Sequence, residues 1–199
     1  MVDPPWPTEM RSAKGEGKSF ARHYGAMTFD AIAALPIGQL LKRDAVVFLW
    51  CTWPLLLDGG DAKRHFRDHN AGRSRVGECL QRWGLRYVTG GAWHKQTITG
   101  KTAFGTGYAV RSACEPFLIA KLGCPRHSRS ERNLIAGLAR EHSRKPDEAF
   151  AWCERYMGPH ARLVELFSRE NRPYWDSWGF ETGKFDPVVS ENAAPAVAA

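Results

Sequence analysis

Four short apolar runs, each ending in polar or conformationally special residues, limit what this chain can fold into. "AVVFLWCT" (45–52) is β-branched and aromatic throughout and predicts a buried strand. "RYVTGGAWHK" (86–95) begins like a second, and its glycine pair predicts a bulge or a close backbone approach. "EPFLIAKLG" (115–123), closed by Gly123 and Pro125, is a third, and "ARLVELFSR" (161–169) is a fourth. Helical stretches fall between them. "TFDAIAALPIGQLL" (28–41) offers Thr28 or Asp30 as an N-cap and is broken by Pro36. "KPDEAFAWCERYMG" (145–158) places Pro146 in the first turn and Asp147 and Glu148 at the positive end of the helix dipole. Its Ala149, Trp152, Cys153 and Tyr156 make one apolar face, and Gly158-Pro159 end it. Strands alternating with helices predict an α/β layered fold with a largely parallel sheet. Ligands bind such sheets beyond the carboxyl ends of the strands, so chemistry is sought just after each apolar run.

The 199 residues suit one domain, expected over 1–187, with "SENAAPAVAA" (190–199) inside a disordered tail from 188. A formal charge of +7 favours an acidic partner, nucleic acid first among them. The start "MVDPPWPTEM" has no signal-peptide apolar region, and no run reaches the roughly 18 residues of a membrane span. Five scattered cysteines without a CxxC read as reduced thiols, which predicts a cytoplasmic protein.

Several motifs fail on inspection. "SAKGEGKS" (12–19) lacks the first glycine of a phosphate-binding loop and no strand precedes it. There is no GxGxxG, and "HFRDH" (65–69) lacks the glutamate of a zinc-protease helix. "CPRHSRSER" (124–132) is either a surface loop or a nucleic-acid contact.

"DPPW" (3–6) is different. Pro5 fixes its own φ and pushes Pro4 toward extended geometry, so the Asp3 carboxylate and Pro4 carbonyl can face one pocket. Two fixed acceptors beside a flat indole, Trp6, suit the exocyclic amine of a nucleobase. Such an amine is a poor nucleophile because its lone pair is delocalised into the ring. Accepting both of its hydrogens favours a pyramidal nitrogen that can attack an electrophile.

With "HYGAMTFDAI" (23–32), "FLWCTWPLL" (48–56), "YVTGGAWHKQ" (87–96), "EHSRKPDEAFAWCER" (141–155) and "ELFSRENRPYWDSWG" (165–179), the chain resembles the MT-A70 family from residue 3 to about 187. The resemblance implies an S-adenosylmethionine-dependent adenine-N6 methyltransferase, nearest the bacterial and phage DNA branch. The fold it implies is the Rossmann-like class I methyltransferase fold, with motif order permuted so that DPPW comes first. By this resemblance Asp3 and Pro4 hold the adenine amine, Pro5 and Trp6 shape the base pocket, and Tyr24 lies near the target base. Lys145 pairs with the cofactor's carboxylate at a helix start, while Arg169, Asn171 and Glu181 contact its ribose. Asp3 is implied in cofactor binding as well. Trp175 and Trp178 are expected in the core or pocket wall. The target adenine must be flipped or unpaired, with Arg11, Lys14, Lys18, Arg126, Arg129 and Arg132 as candidate phosphate contacts. The same chemistry on RNA adenine or cytosine N4, and an inactive nucleic-acid-binding homologue, remain alternatives.

Three departures from the family stand out. Only Met1 and Val2 precede DPPW, and a strand that short is expected to pair poorly, which suggests an upstream start or a truncated copy. Phe180 replaces the asparagine usual after "WG", removing one cofactor hydrogen bond. Residues 58–76 are more basic than the expected helix and read as an insertion or divergent segment.

Overall fold

A computed structural model describes residues 1–7, 27–57, 74–105, 109–141 and 144–187. Tyr24, the basic residues Arg11, Lys14 and Lys18, His65 and His69, and the tail from 188 lie outside the described residues. So does most of 58–76; Ser74 to Val76 instead open a helix.

The elements in chain order are α1 (Phe29–Ala33), α2 (Ile37–Leu40), β1 (Ala45–Trp50), α3 (Trp53–Leu56), α4 (Arg75–Arg82), β2 (Arg86–Gln96), β3 (Cys114–Leu122), β4 (Leu134–Leu138), α5 (Asp147–Met157), β5 (Leu163–Leu166) and β6 (Trp175–Trp178). Thr28 caps α1, its hydroxyl accepting the Ala31 N–H at 3.1 Å, and Pro36 separates α1 from α2. Ser74 caps α4 by accepting from the Gly77 N–H at 3.2 Å. Pro146 sits one residue earlier than expected, at the cap of α5, and Gly158 closes that helix at φ 79°.

Strands pair in the order β1-β3-β2-β4 and β5-β6. Val2 bridges them, pairing in parallel with Leu49 of β1 and with Leu166 of β5. The expectation that so short a segment pairs poorly is corrected. The Val2 N–H donates to Phe48 O at 2.8 Å and Val2 O accepts from Trp50 N–H at 2.9 Å. On the other side Met1 O accepts from Leu166 N–H at 3.0 Å. Three residues between two longer strands satisfy their backbone groups on both edges.

The sheet is mixed rather than largely parallel. β3 runs antiparallel to both β1 and β2, whereas β2–β4 and β5–β6 are parallel. Parallel neighbours need a crossover, usually a helix. Between β2 and β3 no helix occurs among the described residues, so the chain simply turns back. The glycine pair in β2 marks a close approach: a Cβ on Gly91 would lie 2.1 Å from Asn133 O and 2.5 Å from the Phe117 ring. The register shift falls upstream, between Tyr87 and Thr89. Gly91→Ala is expected to cost about 1–3 kcal/mol through overpacking. That lowers the melting temperature by roughly 2–12 °C for a chain of this length, measurable by differential scanning calorimetry.

Alternation along β1 divides the core. Val47 and Leu49 pack with Ile32, Ile37, Val76 and Leu80 of the helices on one face. Phe48 and Trp50 pack with Trp93, Phe117 and the Ala149, Phe150 and Trp152 face of α5 on the other. The sheet is thus covered on both sides, and its strand ends are left to form the site. All five cysteines are free; burial pushes the Cys51 and Cys153 thiols up to about 12 and Cys79 to about 11, keeping them protonated. Among the described residues no helix is long and apolar enough to cross a membrane, and no cluster of potential metal ligands occurs.

Candidate active site

Val2 runs parallel to β1 and β5, so Asp3 emerges at the carboxyl end of the sheet's middle. There it meets Lys145, which lies just before α5. Lys145 Nζ is 2.9 Å from Asp3 Oδ2 and 2.7 Å from Glu115 Oε1, and Lys95 Nζ is 3.1 Å from Glu115 Oε2. The Lys145 ammonium also lies 5.2 Å from the Trp50 ring centre. Two carboxylates and two ammoniums balance in charge, which permits their burial; Lys145 is only 7% exposed.

Burial pushes the Asp3 carboxyl above its ordinary value, the Lys145 charge opposing this and the Glu115 charge adding to it. Burial alone would raise Glu115 too, but Lys145 and Lys95 together hold it below its usual range. Lys145 is raised despite burial, because Asp3 and Glu115 both favour its charged form.

Glu115 escaped the sequence reading. In a parallel sheet site residues follow the apolar runs, but β3 is antiparallel, so its entry is the end that reaches the site. An acid immediately before a strongly apolar strand was the available signal. Lys145 also has partners beyond those the resemblance implies: two of its three N–H donors are taken by Asp3 and Glu115.

Trp6, expected to shape the base pocket, packs into the core in this structure. Its indole is 3% exposed, packs 5.8 Å from the Phe29 ring, and donates from Nε1 to Trp50 O at 2.9 Å. An indole whose N–H finds a buried carbonyl gains more inside than on a surface. Pro4 O accepts the Trp6 N–H at 2.8 Å and retains a second lone pair, while Pro5 O anchors Met27 N–H at 3.1 Å. Trp175 is buried and donates to Glu154 at 2.8 Å; Trp178 is half exposed against Phe167.

Asp3 and Lys145 line a cleft with Glu165, Phe167, Arg169 and Glu170. Its enclosed part is about 10 Å³, room for little more than a water, so a larger ligand must part the lining side chains. Salt bridges hold the segment before α5 against the chain after β5. Arg144 binds Glu170 at 2.5 Å, and Arg172 contacts both Glu170 and Asp147. Arg169 Nε lies 3.4 Å from Glu181 Oε2, and Glu181 Oε1 accepts from Lys184 at 2.6 Å. Asn171 is turned to Asp186, donating from its backbone N at 2.7 Å and its Nδ2 at 2.8 Å, which leaves its Oδ1 and the second Nδ2 hydrogen for a ligand. Phe180 projects its ring wholly into solvent.

Arg126 and Arg129 are not near this site, whereas Arg132 leads into β4 beside Asn133, whose carbonyl accepts the Ala92 N–H level with Pro116. β3 leaves the site end at Glu115 and finishes at Leu122 opposite Ala45, the start of β1, so the loop after it opens at the far end of the sheet. The antiparallel direction of β3 decides this as well.

An acid from the middle of an α/β sheet, ion-paired at the strand ends beside a polar cleft, marks a protein of the layered α/β class with its candidate site at the strand ends. The chain belongs to the MT-A70 family, whose model matches residues 1–181. It is similar to the putative N(6)-adenosine-methyltransferase MT-A70-like of Medicago truncatula, 33% identical over 90% of this chain and 25% of the relative. It also resembles the N6-methyladenosine RNA methyltransferase MTA1 of Pyricularia oryzae, at 30% over 98% of this chain and 50% of the relative. The Type II methyltransferase M.MunI of Mycoplasma sp is 26% identical over 90% of this chain and 75% of its own length. The chain therefore spans a quarter to a half of the first two relatives.

Methyltransferases of this family use S-adenosylmethionine. The donor set here fits that group: Glu181 Oε2 is buried with no hydrogen bond beyond its 3.4 Å ion pair to Arg169, an acceptor for a hydroxyl, and Asp3 and Arg169 offer opposite charges along the cleft.

Proposed function

We propose that this chain transfers a methyl group from S-adenosylmethionine to the N6 amine of adenine in DNA. One observation carries the reading: the Asp3 carboxylate is pinned by Lys145 at the sheet's carboxyl end, one residue from the Pro4 carbonyl. The cofactor, when bound, supplies a methyl group on a positively charged sulfur.

Asp3 and the free lone pair of Pro4 accept the two N–H groups of the amine and turn its lone pair toward the methyl. On taking the methyl group, whose C–S bond breaks with its electron pair left on sulfur, the amine nitrogen would gain positive charge, and the Asp3 carboxylate would stabilise that charge in a low-dielectric setting. The extra proton then leaves through Asp3 or water. Lys145 and Glu115 do not react; they fix Asp3 in position. Glu181 would hold a ribose hydroxyl, and Arg169 or the third N–H of Lys145 would meet the cofactor's carboxylate.

The central place of Val2, between β1 and the later β5, supports a permuted motif order in which DPPW comes first. The chain fills 75% of the length of a Type II methyltransferase, M.MunI, which favours DNA. RNA is the second reading, favoured by the name of the Pyricularia oryzae relative.

Incubation with labelled cofactor and unmethylated DNA or RNA, followed by digestion to nucleosides, tests this. N6-methyladenine from DNA is the expected product. Label found only in RNA nucleosides reassigns the substrate, label in cytosine reassigns the base, and cofactor binding without any methylated base sinks the reading.

A further inference from the structure

The far end of the sheet carries a concentration of positive charge that the chemistry above does not use. Arg86 of β2 and Lys121 of β3 are directly paired across the strands. Like charges so opposed destabilise a sheet unless an anion lies between them. Lys121 Nζ reaches His127 Nε2 at 2.5 Å, and His127 Nδ1 meets Ser128 O at 2.8 Å. A ring nitrogen that accepts from an ammonium is unprotonated, so Nδ1 carries the imidazole hydrogen. This clasp, with Tyr156 stacked 4.7 Å from the His127 ring, sets the loop on which Arg126 and Arg129 stand exposed.

The neighbouring turn adds Lys42 and Arg43, both exposed. The two segments touch: a Cβ on Gly123 would lie 2.5 Å from Arg43 O, and the Cys124 N–H donates to Asp44 at 2.6 Å. Two acids lie close by. Asp44 is engaged by that N–H, and Glu131 is held by Arg155 through two bonds of 3.0 Å. Among the described residues Lys42, Arg43, Arg86, Arg126 and Arg129 form no ion pair.

We propose that this end of the sheet is a second docking surface for nucleic-acid phosphates, remote from the methyl-transfer site and gripping the substrate strand away from its target base. The identity of the polymer rests on the function proposed above; the chemistry recognised is a row of phosphates. Six residues of β3 separate Glu115 at the site from Lys121 here, about 20 Å at roughly 3.3 Å per residue. A duplex pentanucleotide with a central adenine reaches about 7 Å to either side at 3.4 Å per nucleotide and cannot touch both. A thirty-nucleotide substrate can.

The test measures binding of the two lengths, single-stranded and duplex, against salt concentration by fluorescence anisotropy, with methylation assayed in parallel. For the wild-type protein the salt slope on the long substrate is expected to be steeper than on the short by about two or more phosphate contacts. R126Q/R129Q is expected to lower that slope by about 2 and weaken long-substrate binding about tenfold or more in 0.1 M salt. The same variant should leave pentanucleotide binding and turnover unchanged. K42Q/R43Q provides a second variant on the opposite turn, with the same direction expected.

Equal slopes for both lengths in the wild type, or a wild-type slope in both variants, overturn the proposal. So does a patch that binds vesicles of anionic lipid while ignoring the long substrate. Failure of the methylation reading looks different, since it abolishes product on every substrate and leaves the length-dependent slope intact.

Discussion

Asp3→Asn is expected to lower kcat by about 10²–10³-fold, the scale of removing one preorganised electrostatic partner of a transition state. Asparagine has the same shape and keeps one acceptor oxygen, so binding of the amine is only partly lost. What disappears is the negative charge. Asp3 and Glu115 now balance Lys145 and Lys95; without Asp3 the cluster is left positive when the amine itself becomes positive. The fold is expected to survive, because Lys145 keeps Glu115 at 2.7 Å. Calorimetric titration of cofactor with the variant separates lost binding from lost turnover. Unchanged kcat would remove Asp3 from the chemistry.

The wild-type pH profile follows from the same group. Burial raises the Asp3 carboxyl, so the acid limb of kcat is expected above the ordinary aspartate value of about 3.9.

Lys145→Met has the second large effect, mainly on stability. It leaves the Asp3 and Glu115 carboxylates buried beside each other, with Lys95 holding only Glu115. Removing one partner of a buried ion pair costs about 3–5 kcal/mol, or roughly 6–20 °C of melting temperature at this length. The pH dependence has a definite sign. In the wild type Glu115 is depressed, so its contribution is present above its unfolded pKa and lost as pH falls through the folded value. Lys145 is raised, so its contribution is full below its unfolded pKa and lost only as pH rises past the folded one. In the variant both carboxyls are raised. Their penalty is absent below the unfolded carboxylate range near 4, and grows as pH rises toward the folded values. The melting-temperature gap between variant and wild type should therefore narrow from pH 8 to pH 5. A constant gap would show that the ammonium acts through packing alone.

Much of the fold is legible in particular residues. The alternating core of "AVVFLW" gives β1 with two buried faces, Thr28 and Pro36 bound the first helices, and Gly158 ends α5. β4 and β6 were not foreseen. "WDSW" is too short and polar to announce itself, and it pairs only because β5 lies alongside. The helix at 75–82 was concealed by the basic stretch before it, although Val76, Cys79 and Leu80 form its buried side. Of the proposed site, Asp3 and Lys145 meet because each lies next to an element end on the strand-end side. Arg169 and Glu181 are likewise together. The packing of Trp6 is not legible locally, because an indole beside an acid suits a base platform and a core ring equally.

The local chain by itself marked most of the strands and helices and drew attention to Asp3 and Lys145. Those depend on side-chain periodicity, caps and prolines, all short-range. The direction of β3 was settled only by tertiary pairing with β1 and β2. That one reversal brings Glu115 to Lys145 and sends Arg126 and Arg129 to the opposite end. Apolar periodicity is the same read in either direction, so strand polarity is fixed by long-range hydrogen bonding and by packing against α5.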